Sequence, residues 1–132
     1  MRYLLDTNTV TDLIHYPQGR VAQRIHATGV ERICVSIIVA AELRFGAEKK
    51  GSPRLRERVD TVLRFLAIIP FAPPADTAYG RLRAQLEKAG TPIGNNDLLI
   101  AAHAIALGYT VVTNNQREFA RIGFLPRENW LV

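Results

Sequence analysis

The chain has 132 residues, 48% of them hydrophobic and 22% charged, the balance of one soluble globular domain with room for a core. No apolar run nears the roughly 20 residues of a membrane helix, no signal peptide is expected before the first apolar run, and the lone cysteine, Cys34, excludes an internal disulfide and fits a reduced, cytoplasmic setting. The formal net charge of +5 comes mostly from arginine, with lysine only at positions 49, 50 and 88; it suits a polyanionic partner such as nucleic acid, and equally a basic protein without one.

Taken in order, Arg2 to Leu5 reads as a strand and ends on the carboxylate of Asp6. A helix starts near Thr7 or Asn8, both good caps, carries Val10, Leu13 and Ile14 on one face, and stops at Pro17. Gln18 to about Ala27 is a second helix closed by Gly29, and Arg32 to Val35 a second buried strand. Ser36 caps a helix through Glu48, and Gly51-Ser52-Pro53 breaks it from the next, Arg54 to Leu66, which is basic outside and apolar inside. Ala67 to Phe71 is a strand closed by Pro73-Pro74, and Asp76 to Lys88 a helix. After the loop Gly90 to Gly94, Asn95 or Asn96 caps a helix that Gly108 ends. Thr110 to Thr113 is a fourth strand, Asn115 to Ile122 a short helix, and Trp130 to Val132 a candidate fifth strand. Short apolar strands alternating with helices predict a single α/β domain over residues 1–132, with a short, mainly parallel sheet between helical layers.

Three carboxylates stand out. Asp6 ends a strand, where open α/β sheets bind ligands. Glu42 shares a helix face with Ile38 and Phe45, and a carboxylate on an apolar face is costly unless paired or metal-bound. Asp97 shares a face with Ile100, Ala101 and Ala104 and lies in a first helical turn, where the dipole favours an anion. Beyond Thr113, Asn115 and Glu118 are further candidates, although from the residues alone Glu118 reads better as a solvated helix residue. In a parallel sheet these positions fall on one edge, and such oxygen ligands suit Mg²⁺ or Mn²⁺. No zinc spacing, phosphate-binding loop or serine-nucleophile element is present, and His15, His26 and His103 are scattered.

The stretches Leu4 to Asn8, Ser36 to Gly46, Pro92 to Ala104 and Val111 to Phe119, in this order and at this spacing, resemble the PIN-domain ribonucleases, specifically VapC-type toxins of toxin–antitoxin pairs. The resemblance implies a three-layer α/β/α fold and a Mg²⁺-dependent endoribonuclease, Mn²⁺ being an alternative. It places the metal on Asp6, Glu42 and Asp97, with Glu118 as a further catalytic acid. Many members carry an aspartate where this chain has Asn115, so either Asn115 or Glu118 completes the site. Thr7, Asn8 and Thr113 would orient carboxylates or water. Hydrolysis would leave 5′-phosphate and 3′-hydroxyl ends, with Arg44, Arg117 and Arg121 attracting the RNA. The implied partners are an RNA substrate, a VapB-like antitoxin covering the active site and a second copy of the chain, with no membrane. Two rivals are a haloacid-dehalogenase-type phosphatase, disfavoured because Asn8 stands where a second aspartate is needed, and a PIN-like module that binds without cleaving.

Overall fold

A computed structural model describes all 132 residues. Its centre is a five-stranded, wholly parallel sheet in the order β3-β2-β1-β4-β5, built from β1 (Tyr3–Leu5), β2 (Ile33–Ser36), β3 (Ala67–Ile69), β4 (Thr110–Val112) and β5 (Arg127–Glu128). The helices are α1 (Thr7–His15), α2 (Arg20–Thr28), α3 (Ile37–Lys50), α4 (Pro53–Phe65), α5 (Ala75–Lys88), α6 (Asn95–Leu107) and α7 (Gln116–Phe119).

From β1 the chain steps outward to β2 and β3, then returns across the sheet to β4 and β5 on the other side. Right-handed crossovers therefore put α1 to α4 on one face and α5 to α7 on the other. The packing agrees: α1 touches α2, α3 and α4, while α6 touches α5 and α7. The strands are short but need no polar face. Leu4, Leu5, Ile33, Val35, Val111 and Val112 are essentially inaccessible to solvent, as expected for parallel strands covered on both sides.

Several local expectations need correction. Asp6, not Thr7 or Asn8, caps α1: its Oδ1 accepts the backbone N–H of Thr9 at 2.9 Å. Gly94, not Asn95 or Asn96, caps α6, and both asparagines lie inside its first turn. The helix expected over Asn115 to Ile122 is the single turn Gln116–Phe119, and β3 stops at Ile69.

The fifth strand is Arg127–Glu128 rather than Trp130 to Val132. An edge strand needs backbone pairing more than apolar side chains, and here Thr113 N–H donates to the Glu128 carbonyl at 2.9 Å. Trp130 instead buries its ring against Tyr3, centroids 5.1 Å apart, and donates Nε1–H to Glu128 Oε1 at 3.0 Å. The Leu131 N–H turns back onto the Asn129 side chain at 2.9 Å, which takes this segment out of the ladder.

Leu4 pairs with Cys34 on one side and Val111 on the other and has no exposed surface. Leu4→Ala is therefore expected to cost about 3 kcal/mol. Urea unfolding followed through Trp130 checks it, and a loss below about 1 kcal/mol would contradict the packing described.

Candidate active site

The sheet order makes β1 and β4 neighbours whose chains leave in opposite directions, which opens a crevice at their carboxyl ends. The register pairs Leu5 with Val112, so Asp6 and Thr113 are the next residues on that edge. Asp6 N–H extends the ladder by donating to the Val112 carbonyl at 3.0 Å. Thr9, one turn into α1, donates its hydroxyl to the same carbonyl at 3.1 Å. Asp6 is thus held from both ends and is only 2% exposed. Burial pushes its carboxyl pKa up, and hydrogen bonds from Thr113 and Thr9 partly oppose the rise.

The other acids reach the crevice from helices that begin at it. Glu42, in the second turn of α3, accepts the Thr7 hydroxyl on Oε1 at 2.8 Å. The helix face expected to be apolar around it is the rim of the crevice instead: Ile38 and Glu42 are half-buried, and Phe45 is 67% exposed. Asp97, in the first turn of α6, accepts Asn115 Nδ2–H on Oδ2 at 3.0 Å. Asn115 is placed in turn by its own N–H on Thr113 Oγ1 at 2.8 Å. Glu118 accepts the Gly94 N–H at 3.1 Å and so ties α7 to the start of α6.

Asp97 is the electrostatic readout of this convergence. Its pKa is pushed up from 3.8 to about 6, first by burial and then by the negative charges of Asp6, Glu118 and Glu42, against the hydrogen bond from Asn115. Asp97 therefore lies in the field of the other three acids. None of them is in an ion pair: the four in the molecule join Arg24 to Glu128, Arg44 to Asp60, Arg56 to Glu48 and Arg83 to Glu87.

The donor set is wholly oxygen, anionic and uncompensated, which fits a hard divalent cation. No three of the His, Cys, Asp and Glu side chains stand close enough to grip one ion together. The fit is therefore to a cation held by one or two carboxylates and completed by water, the habit of Mg²⁺.

Two of the arginines expected to draw in RNA are engaged elsewhere. Arg44 pairs with Asp60 at 2.6 Å, and Arg121 donates to the Pro92 carbonyl. Arg117 alone of the three has no such partner and stays exposed on α7. Sequence reasoning also missed two supports. Thr9 stands three residues after Asp6, the spacing of a capping interaction, which was a usable signal. The contact of Ser36 with His103 had none: the Ser36 hydroxyl, which caps Ile38 N–H at 3.1 Å as expected, also lies 2.8 Å from His103 Nδ1, both side chains buried, joining α3 to α6. Burial pushes the His103 pKa down, so its neutral form is favoured there.

Sheet order and acid cluster together describe a PIN domain, and a family model of that name matches residues 3–125. Ribonuclease VapC2 of Rickettsia felis is 43% identical over 132 residues, covering 98% of each chain. The tRNA(fMet)-specific endonuclease VapC of Salmonella typhimurium is 37% identical over 131 residues, again 98% of each. A crystal structure of VapBC2 from Rickettsia felis bound to a DNA fragment from their promoter matches with a TM-score of 0.90 at 41% identity, over 98% of this chain and 99% of that one. The chain belongs to the PIN-domain family and, within it, to the VapC ribonucleases.

A carboxyl whose pKa is raised on folding stabilises the protein fully below its unfolded value, here 3.8, and loses that contribution as pH rises through about 6. In EDTA, Asp97→Asn should melt a few degrees above the wild type at about pH 7.5, with the gap closing towards about pH 4. Equal melting temperatures at both pH values would show that the Asp97 pKa is not raised in the folded chain.

Proposed function

We propose that this chain is the toxin half of a toxin–antitoxin pair, a Mg²⁺-dependent endoribonuclease that hydrolyses RNA phosphodiesters, with Mn²⁺ able to replace Mg²⁺. The observation that carries the reading is the gathering of Asp6, Glu42, Asp97 and Glu118 at one sheet edge with no cation of the protein among them. A structural role for such a cluster would ask for arginine or lysine partners. Leaving it unpaired costs stability that a bound cation returns.

Asp6 and Asp97 would hold the ion, with Glu42 at the rim reaching it through a water. When bound, the ion lowers the pKa of water and neutralises charge on the phosphoryl group under attack. Glu42 faces the open side of the crevice, so it is placed to orient the attacking water and take its proton. The Thr7 hydroxyl fixes one of its oxygens and leaves the other free for this. Asn115 holds the Asp97 carboxylate without neutralising it, which makes Asn115 an orienting residue. Glu118 spends one oxygen on Gly94 and adds negative charge, so its contribution is to the field and to the position of α6. In-line attack leaves 5′-phosphate and 3′-hydroxyl ends, and no group of the protein needs the 2′-hydroxyl.

The partner reading has support of its own. A groove of about 740 Å³ between α1, α2 and α4 is lined by Leu13, Pro17, Ile25, Val30, Val62 and Phe65, among others. It suits the apolar face of an antitoxin segment, and the Rickettsia felis relative is described as a VapBC2 assembly. Phe124, 66% exposed beside the shallow α5–α6 groove, is a candidate contact in a homodimer. No helix is long and apolar enough to cross a membrane, which is compatible with work in the cytoplasm, where its RNA substrate is found.

Purified chain should cleave tRNA in Mg²⁺ and stop in EDTA. Asp6→Ala and Asp97→Ala should each lower the rate at least about a hundredfold while keeping the far-ultraviolet spectrum, and Asp76→Ala, on the exposed start of α5, should not. Wild-type rates from a folded Asp6→Ala protein would overturn the proposal.

A further inference from the structure

Three of the cations without a carboxylate partner line one cavity apart from the four acids. A cavity of about 290 Å³ opens where the ends of α1 and α3 meet the start of α4, lined by His15, Lys50, Ser52, Arg54, Leu55 and Arg58. No acid lines it. Lys50, Arg54 and Arg58 make no ion pair, although Arg56 on the same helix reaches Glu48 at 3.7 Å and Arg44 on α3 reaches Asp60 at 2.6 Å. Counter-ions are thus available to this helix pair and are not used here.

Helix stability argues against this arrangement. Arg54 sits in the first turn of α4, directly after Pro53, where the dipole is positive and disfavours a cation. Arg54 and Arg58 are spaced i, i+4, so their like charges repel, while Lys50, in the last turn of α3, sits where the dipole favours a cation. Two arginines placed against helix electrostatics mark a place where something other than folding sets the sequence.

We propose that this cavity binds a backbone phosphate of the RNA substrate, remote from the bond that is cut; the inference rests on the ribonuclease reading. Two guanidinium forks and an ammonium match phosphate oxygens, and Arg54 and Arg58 present theirs from one helix face. Leu55 is the only apolar residue in the lining, unlike the neighbouring groove, so a phosphate fits better than an acidic peptide. The nine residues of α1 separate the cavity from Asp6 by about 13.5 Å at 1.5 Å per residue. A single nucleotide does not span that distance. The site therefore favours a folded or extended RNA over a very short oligonucleotide.

The test uses the full chain with Asp6→Asn to block cleavage and unfractionated tRNA as the probe, with binding read by fluorescence anisotropy across a salt series. Adding Arg54→Ala/Arg58→Ala should weaken binding about tenfold and flatten the slope of log affinity against log salt by roughly 1 to 2. Adding Arg81→Ala/Lys88→Ala, which removes the same charge from α5, should do clearly less. The Arg54/Arg58 variant should melt no lower than its parent, because it relieves a repulsion.

Unchanged tRNA affinity and slope would overturn the proposal. So would unchanged tRNA binding combined with weaker binding to the antitoxin, which would make the cavity a peptide seat. If the wild type binds tRNA with the predicted dependence on Arg54 and Arg58 but cleaves nothing in Mg²⁺, the phosphate site stands and the nuclease reading falls.

Discussion

The burial of Asp97 at a sheet edge that also carries the negative charges of Asp6, Glu118 and Glu42 is the constraint on which the rest of the structure depends. Burial and three neighbouring negative charges raise the Asp97 pKa to about 6. A folded chain can tolerate such a cluster only if each side chain is tethered by something neutral. Thr9 and Thr113 hold Asp6, Thr7 holds Glu42, Asn115 holds Asp97 and the Gly94 N–H holds Glu118. These donors fix geometry and leave the negative charge in place. An arginine would have fixed geometry and cancelled the charge, and with it the affinity for a cation.

The tethers exist because the sheet is parallel and changes direction between β1 and β4. Leu5 and Val112 are in register, which delivers Asp6 and Thr113 side by side. Helices α1, α3 and α6 all start at this edge, so their first two turns carry Thr7, Thr9, Glu42 and Asp97 into one crevice. The buried contact of Ser36 with His103 ties the α3 start to α6, so the helices bearing Glu42 and Asp97 cannot drift independently. A short sheet with heavily buried strands thus gives a stiff floor to a crevice whose chemistry lies in loops and first turns.

Much of this was legible in the sequence, for reasons that are local. The apolar bursts at Leu4-Leu5, Ile33 to Val35 and Val111-Val112 are parallel-strand signatures, and the glycines at 29, 51 and 108 end helices as expected. Asp6, Glu42 and Asp97 could be picked out because each ends, interrupts or opens an apolar run. Illegible features depended on contacts across the fold. Whether Arg44 faces RNA or Asp60 is decided by how α3 lies on α4. Whether Asn115 or Glu118 supports Asp97 is decided by a turn of one or two residues after β4, and the answer divides the work between them. The last strand was misplaced because Trp130 carries the strongest apolar signal in a tail whose pairing is made by the polar Arg127 and Glu128.

The central claim is that Asp6, Glu42 and Asp97 serve one divalent cation. Crystals of the chain soaked in Mn²⁺ and measured at the manganese edge test it most directly. The account predicts an anomalous peak in the crevice, within reach of Asp6 and Asp97, that disappears in Asp97→Asn crystals. Full Mn²⁺ soaking with no peak there, or a peak indifferent to residue 97, would contradict it.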